Sequence, residues 1–428
     1  MEKTLSLFSD VKPGEGATAV LLILTAFIMM GLYYILKPVR EGLILSGFGA
    51  VIKSYSSAVQ ALLFIFVVPA YGAFAARVNR IRLLSGMTLF FMFNLLLFVV
   101  ALGADGNIGV VFYIWVGIFN FMIVSQFWAF ANDLYTEEQG KRLFPAVGVG
   151  ASAGSLAGTL MTAGVFERMS SGALMLLAAA LLAVFVALLV WINNRESRRG
   201  KASVTAAEQP LSKADGFGLV LRNRYLLLVG LHVLILNLVN TVGEFMLGTL
   251  FVQDAIAQIG AGDALAGDRT LYIRTMYAWF FVVVNSIGLL IQGLLVSRCI
   301  RYLGVRGSLF IGPLTSLVAY GSSAVQPILS VVRPMKTAEN ANDYSTNNTV
   351  RATLFLPMSR DVKYKAKAAI DTFFARTGDA LQALVVFVGT SFSLALSSFA
   401  LVNVALVVVW LAVCGGIVKE HKKLAAEA

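Results

Sequence analysis

Twelve apolar runs follow one another along this chain, near residues 17–46, 55–76, 83–103, 108–135, 144–166, 172–193, 225–251, 272–297, 307–326, 327–356, 366–391 and 395–418. Each is about as long as the 20 or so residues a helix needs to cross a bilayer. Hydrocarbon offers no water to satisfy backbone N–H and C=O groups, so a run of this kind must be a helix or part of a closed barrel. The runs are solid rather than alternating, which excludes the barrel. Composition agrees, because only 13% of the 428 residues are charged, against roughly 25% in soluble domains. The expected fold is therefore an all-α membrane protein with 12 transmembrane helices. The first run is long, lacks a cleavage-type end and is followed by further spans, so no cleavable signal peptide is expected. The two cysteines, Cys299 and Cys414, are far apart in the sequence and suggest no disulfide framework.

A net charge of +11 raises the question of a nucleic-acid partner, and the positions of the charges answer it. With the amino terminus inside, most of the 34 basic residues fall in inside segments, including Arg77, Arg80 and Arg82, a cluster from Arg195 to Arg224, and Lys419, Lys422 and Lys423. Outside loops receive only Lys53, Arg168, Arg269 and Arg274. The positive-inside rule then places both termini in the cytoplasm, in a bacterial inner membrane. The basicity records topology, and no nucleic-acid polymer is expected as a partner.

The longest inside connection, Asn194 to Arg224, is rich in charge, Ala and Ser, and follows the sixth span. It reads as a linker (194–224) between two six-helix bundles, 1–193 and 225–428, of the kind built from internal repeats. The halves echo each other: Glu41 in span 1 matches Glu244 in span 7, each after a polar tetrapeptide, "KPVR" or "NTVG". "AND" recurs at 131–133 and 341–343 in spans 4 and 10, and "ASAGSLAGTL" in span 5 matches "ARTGDALQAL" in span 11. This is the plan of the major facilitator fold, with spans 1, 4, 7 and 10 lining a central path. Gly150, Gly154 and Gly158 leave one face of span 5 without side chains, for close static packing or for sliding.

Charges inside such helices each cost about 2.5–3.5 kcal/mol on insertion scales and usually face a cavity or a partner. Lys37, Arg40 and Glu41 share a helical face with Tyr33, and Pro38 is expected to loosen the helix there. Span 10 carries Lys336, Glu339, Asn340, Asp343, Tyr344, Asn347 and Arg351 at helical spacing, a stripe that must face protein or water. Pairing of Lys336 with Glu339 or Asn340 is the plainer alternative to an open path. Span 4 adds Trp128, Asn132 and Asp133, span 7 adds Asn240 and Glu244, and span 11 adds Arg376 and Asp379. Lys37, Arg40, Lys336 and Arg351 suit phosphate or carboxylate oxygens, with Tyr33, Trp128, Tyr344, Asn132, Asn240 and Asn347 beside them as further substrate contacts. Glu41, Asp133, Glu244, Glu339, Asp343, Arg376 and Asp379 are candidates for coupling or charge balance.

Several stretches resemble the nucleotide (ATP/ADP) antiporters of plastids and obligate intracellular bacteria, and their free-living bacterial relatives. Tyr344-Ser345, Arg351 in place of a lysine, Pro357, "KAKAAID" from Lys365 to Asp371, and Arg376 with Gly378 match the pattern of span 10 and beyond. "KPVRE" is similar to the family's basic–acidic pair, here Arg40 and Glu41, and "FWAFANDLYTEEQGKRLFPAVGVGASAGS" looks like the span 4–5 region of bacterial members. Departures remove positive charge: Asp379 replaces a lysine, "NTVRA" replaces a charged string in span 10, and Asn240 and Glu244 replace an acid and a lysine in span 7. The resemblance implies a major facilitator fold and transport of a phosphorylated metabolite, with a nucleotide leading.

The function expected is therefore a secondary active transporter of an anionic small molecule, acting as a monomer by alternating access. A proton-coupled carrier of another organic anion or amphipathic compound is the alternative, and a non-transporting membrane partner or receptor is a second. No Walker loop is present to hydrolyse ATP, His232 and His421 have no metal-ligand partners, and neither an enzyme activity, a cofactor nor a metal is expected.

Overall fold

The computed structural model describes residues 12, 15–75, 80–104, 106–198, 216–260, 266–355, 358 and 360–427. Most of the expected linker (199–215) lies outside the described residues, as do Lys3, Arg77 and Pro357. All regular elements among the described residues are helices: α1 Gly16–Ala75, α2 Arg80–Gly103, α3 Gly109–Leu134, α4 Glu137–Leu160 and α5 Ser171–Arg198 come first. They are followed by α6 Gly216–Arg222, α7 Arg224–Ile259, α8 Ala266–Leu290, α9 Val296–Ser308, α10 Ile311–Val325 and α11 Leu329–Asn342. The last four are α12 Asn348–Thr353, α13 Arg360–Ala369, α14 Ala375–Ser391 and α15 Leu396–Glu427. Single π-helical turns join α8 to α9, α11 to α12 and α13 to α14, and Met161–Val165 extends α4.

Among the described residues, 8 helical stretches are long and apolar enough to cross a membrane. The first two expected spans both lie in α1, as two helical legs that meet at a kink at Gly49 (φ 76°, ψ 176°). A Cβ there would meet nothing within 4 Å, so the glycine is needed for its left-handed backbone rather than for space. Pro38 is accommodated within the first leg of α1, where its neighbours keep helical backbone. Expected spans 9 to 11 are helical but fall outside the apolar set. α10 and α14 are short, at 15 and 17 residues, and the polar stripe of α11 lowers its hydropathy.

The chain divides into two compact units. The first comprises residues 1–47, 68–209 and 262–282; the second comprises 48–67, 210–261 and 283–428. In the first unit, α2 packs along α5, and an aromatic column runs through α3, where Trp115 stacks on Phe119 at 5.3 Å and on Phe112 at 5.8 Å. Helix association in lipid depends on such close packing, because lipid tails are as apolar as the side chains. The glycine face of α4 is a packing face of this kind. A Cβ at Gly154 would run into the Phe27 carbonyl of α1, and one at Gly158 into the Gly31 carbonyl. The second unit repeats the device: a Cβ on Gly378 of α14 would stand 2.7 Å from the Leu234 carbonyl of α7.

Helix starts follow local sequence. Thr136 and Gln139 form a capping box at α4, with the Gln139 amide donating to Thr136 Oγ1 and the Thr136 amide to Gln139 Oε1. Asn223 accepts from the Leu226 amide at the start of α7. Just before α1, the Glu15 carboxylate receives Arg142 at 3.1 and 3.2 Å and Gln139 Nε2 at 2.9 Å. Burial pushes this carboxyl up, but the bonds from Arg142, Gln139 and the Lys12 amide outweigh it and hold Glu15 below its ordinary range.

Candidate functional site

The densest group of polar side chains lies in the second unit, where α7, α10, α11 and the second leg of α1 meet. Asn240 and Glu244 are four apart on α7, Lys336, Glu339 and Asn340 are three and four apart on α11, and Ser316 and Tyr320 are four apart on α10. Each helix therefore presents its polar residues on one face. Gly243 makes room: a Cβ there would collide with the Tyr320 hydroxyl.

Lys336 is 2% exposed. Its ammonium donates to Glu339 Oε2 at 2.7 Å, to the Asn240 carbonyl at 2.8 Å and to Asn240 Oδ1 at 2.9 Å. An ammonium has three donors, so those of Lys336 are all used. Glu339 is also held by Ser316 Oγ at 3.0 Å and by the Tyr320 hydroxyl at 2.7 Å. The plainer alternative, pairing of Lys336 with Glu339, is what this structure shows.

Glu244 is held differently. Asn340 Nδ2 donates to its Oε1 at 3.1 Å, while Lys53 and Lys336 stand at 3.8 and 3.9 Å. Its side chain is 22% exposed, against 7% for Glu339. Lys53 corrects the sequence reading, which put it in an outside loop: it is a buried helical residue beside a carboxylate. Arg269 and Arg274 need the same correction, since both are buried on α8, and Arg274 Nη2 donates to the Glu167 carbonyl at 2.7 Å. The signal for Lys53 was the apolar sequence on both sides of it, hidden once a loop was assumed between spans 1 and 2.

Further along the same stripe, a π-turn covers Asp343–Asn347. Such turns recur at functional sites because they re-aim side chains within a helix. Asn347 is buried against Gly312 of α10, Asp343 is half-buried and Tyr344 is exposed. Arg351 is half-buried and makes no hydrogen bond or ion pair among the described residues, although Asp343 lies within its electrostatic reach. On α14, Arg376 pairs with Asp379 at 3.0 Å and lies over the Phe64 ring at 4.5 Å.

The predicted residues of the first unit form a separate group. Lys37 Nζ sits 4.0 Å from the Phe281 ring centre and 5.1 and 6.0 Å from those of Tyr34 and Tyr33. Arg40 lies over Tyr113 at 4.5 Å and bonds to the buried Glu41. Trp128 packs edge-on against Phe127 and Phe144, Asp133 is half-buried and Asn132 is exposed. His232 is a buried core residue that accepts from Trp410 Nε1 at 2.8 Å.

The model of the TLC ATP/ADP transporter family matches residues 109–421, well over half of the sequence and including every residue of the Lys336 group except Lys53. The chain belongs to this family. Among curated relatives of this TLC family protein, ADP,ATP carrier protein 1 of Chlamydia muridarum is 24% identical over 332 residues, or 68% of this chain and 60% of that one. ADP,ATP carrier protein 2 of Chlamydia pneumoniae is 25% identical over 372 residues, covering 74% and 67%. The TLC family chain thus spans about 60–67% of the length of these two carriers. Its fold is that of major facilitator transporters. A variant of the nucleoside transporter NupG superposes with TM-score 0.68 at 13% identity, covering 94% of this chain and 99% of that one. A bacterial homologue of ferroportin in an inward-facing state gives 0.64 at 13%, covering 94% and 98%. Family and apolar helices together make this a multi-pass integral membrane protein.

Proposed function

We propose that this TLC family protein is a secondary transporter of an anionic, phosphorylated small molecule, a nucleotide first among them, moved by alternating access. Two six-helix bundles, 1–193 and 225–428, rock about the linker 194–224, with both termini cytoplasmic in a bacterial inner membrane and the monomer as the working unit. The observation that carries the reading is Arg351: a guanidinium on a polar helix stripe whose five donors are unengaged among the described residues. A fork of donors held this way suits a phosphate oxygen pair. Lys336, about four helical turns earlier on the same stripe, and Lys53 beside Glu244 supply further positive charge, and Lys336 offers a donor only after releasing Asn240. The names of the relatives, all ADP,ATP carriers, support a nucleotide.

One observation favours a less charged substrate. Arg40 and Arg376 are each paired with a neighbouring acid, so fewer cations remain for a triphosphate, which supports a monophosphate or other organic anion as the second reading. Uptake of labelled ATP, ADP, AMP, a sugar phosphate and a dicarboxylate into proteoliposomes separates them. Saturable uptake of a nucleotide that Arg351→Gln removes is the expected result; uptake of none of the five, or uptake untouched by Arg351→Gln, overturns the proposal.

A further inference from the structure

The Lys336 cluster contains two acids that look equivalent in sequence and are not equivalent in space. Glu339 has donors on both carboxylate oxygens: Ser316 on Oε1, and Tyr320 and Lys336 on Oε2. Three donors converge on the Glu339 carboxylate, so a proton on it would displace one of these bonds and require Ser316 or Tyr320 to turn its hydroxyl and accept instead. The Tyr320 hydroxyl has a single proton, directed to Glu339 at 2.7 Å, with the Val239 carbonyl, to which Asn403 of α15 donates at 3.0 Å, as the more distant acceptor at 3.1 Å. Glu244 has one hydrogen bond, from Asn340, and its two ammonium neighbours stand beyond hydrogen-bond reach.

We infer that Glu244 is the acid that changes partner in this cluster, and that Ser316 and Tyr320 are positioning residues that keep Glu339 the fixed counter-ion of Lys336. The groups facing the pair are Lys53 of α1, Asn240 of α7, Ser316 and Tyr320 of α10, and Lys336 and Asn340 of α11. Because Glu339 already matches the charge of Lys336, Glu244 can take a proton or yield Lys53 to an incoming anion without stranding Lys336. Removing the Tyr320 hydroxyl frees one lone pair on Glu339, leaves it Ser316 and Lys336, and narrows the difference between the two acids. The inference deepens the transport reading and rests on it for its role in the cycle.

The test is infrared difference spectroscopy of the purified protein in lipid during a pH titration, without substrate, followed by uptake in proteoliposomes. Glu244→Gln removes a titrating carboxyl band and Glu339→Gln removes none; Tyr320→Phe adds a second band, which is lost in Tyr320→Phe with Glu339→Gln. In uptake, Tyr320→Phe raises KM about tenfold while turnover stays near the wild-type value, and the pH profile gains a step. Ser316→Ala gives the same changes in smaller measure and serves if Tyr320→Phe does not fold. Loss of the band in Glu339→Gln rather than in Glu244→Gln overturns the inference. So does an unchanged titration in both Tyr320→Phe and Ser316→Ala. A wild-type protein that titrates as described but moves no anion instead sinks the transport reading and leaves the division between the two acids standing.

Discussion

Gly154 and Gly378 do the same thing in the two halves of the chain, whereas Glu41 and Glu244, which also match, do not. Each glycine lets its helix approach the backbone of the first helix of its own half, Gly154 at Phe27 and Gly378 at Leu234. The acids diverge. Glu41 is buried against the adjacent Arg40 and belongs to a group in which rings cover the cations. Glu244 stands between lysines of two other helices and is partly exposed. Backbone packing has repeated while charge pairing has not. Close packing tolerates almost no change at a glycine contact, whereas a carboxylate can exchange one cation for another at modest cost.

The comparison can be broken most sharply at Lys336. Lys336→Met leaves Glu339 buried without its counter-ion, which costs about 3–5 kcal/mol, so uptake is lost and thermal unfolding falls steeply; restoration of stability by adding Glu339→Gln shows that the fault is the orphaned carboxylate. Gly154→Val and Gly378→Val come next. Overpacking of this kind costs about 1–3 kcal/mol or more, and both variants should lose stability by similar amounts in a melting assay. A large loss in one and none in the other would end the claim that the packing repeats.

Lys37→Met tests the first-half group. Its ammonium loses the rings of Phe281, Tyr34 and Tyr33, a cation–π term of about 0.5–2 kcal/mol, and Lys37→Arg should recover most of the melting temperature. Smallest is Glu15→Gln. The Glu15 carboxyl is held below its ordinary value, so its ties stabilise the fold above the unfolded-state value near 4.5 and are lost as pH falls through the lowered one. Wild type should therefore lose more stability on acidification to that range than the variant, and identical acid melts would remove Glu15 from the account.

Much of this was legible along the chain. Solid apolar runs specify helices because lipid cannot satisfy a backbone, and Lys336, Glu339 and Asn340 announced one polar face through their spacing. Tyr320 and Ser316 escaped notice, since a tyrosine and a serine in an apolar helix usually bond locally or pack. Lys53 was misplaced for another reason. A charged residue between two apolar runs looks like a loop, and only the kink at Gly49, confined to a single residue, shows that Lys53 already belongs to the second leg of α1.

By itself the sequence determined that the chain is helical, that it belongs in a membrane and that its ions need partners, because each follows from the free energy of placing polar groups in hydrocarbon. Which partner each ion takes was decided by the tertiary structure. Glu339 and Glu244 differ only in how many donors from neighbouring helices reach them, and a count of that kind depends on distances of an ångström or less that no spacing along one helix can encode.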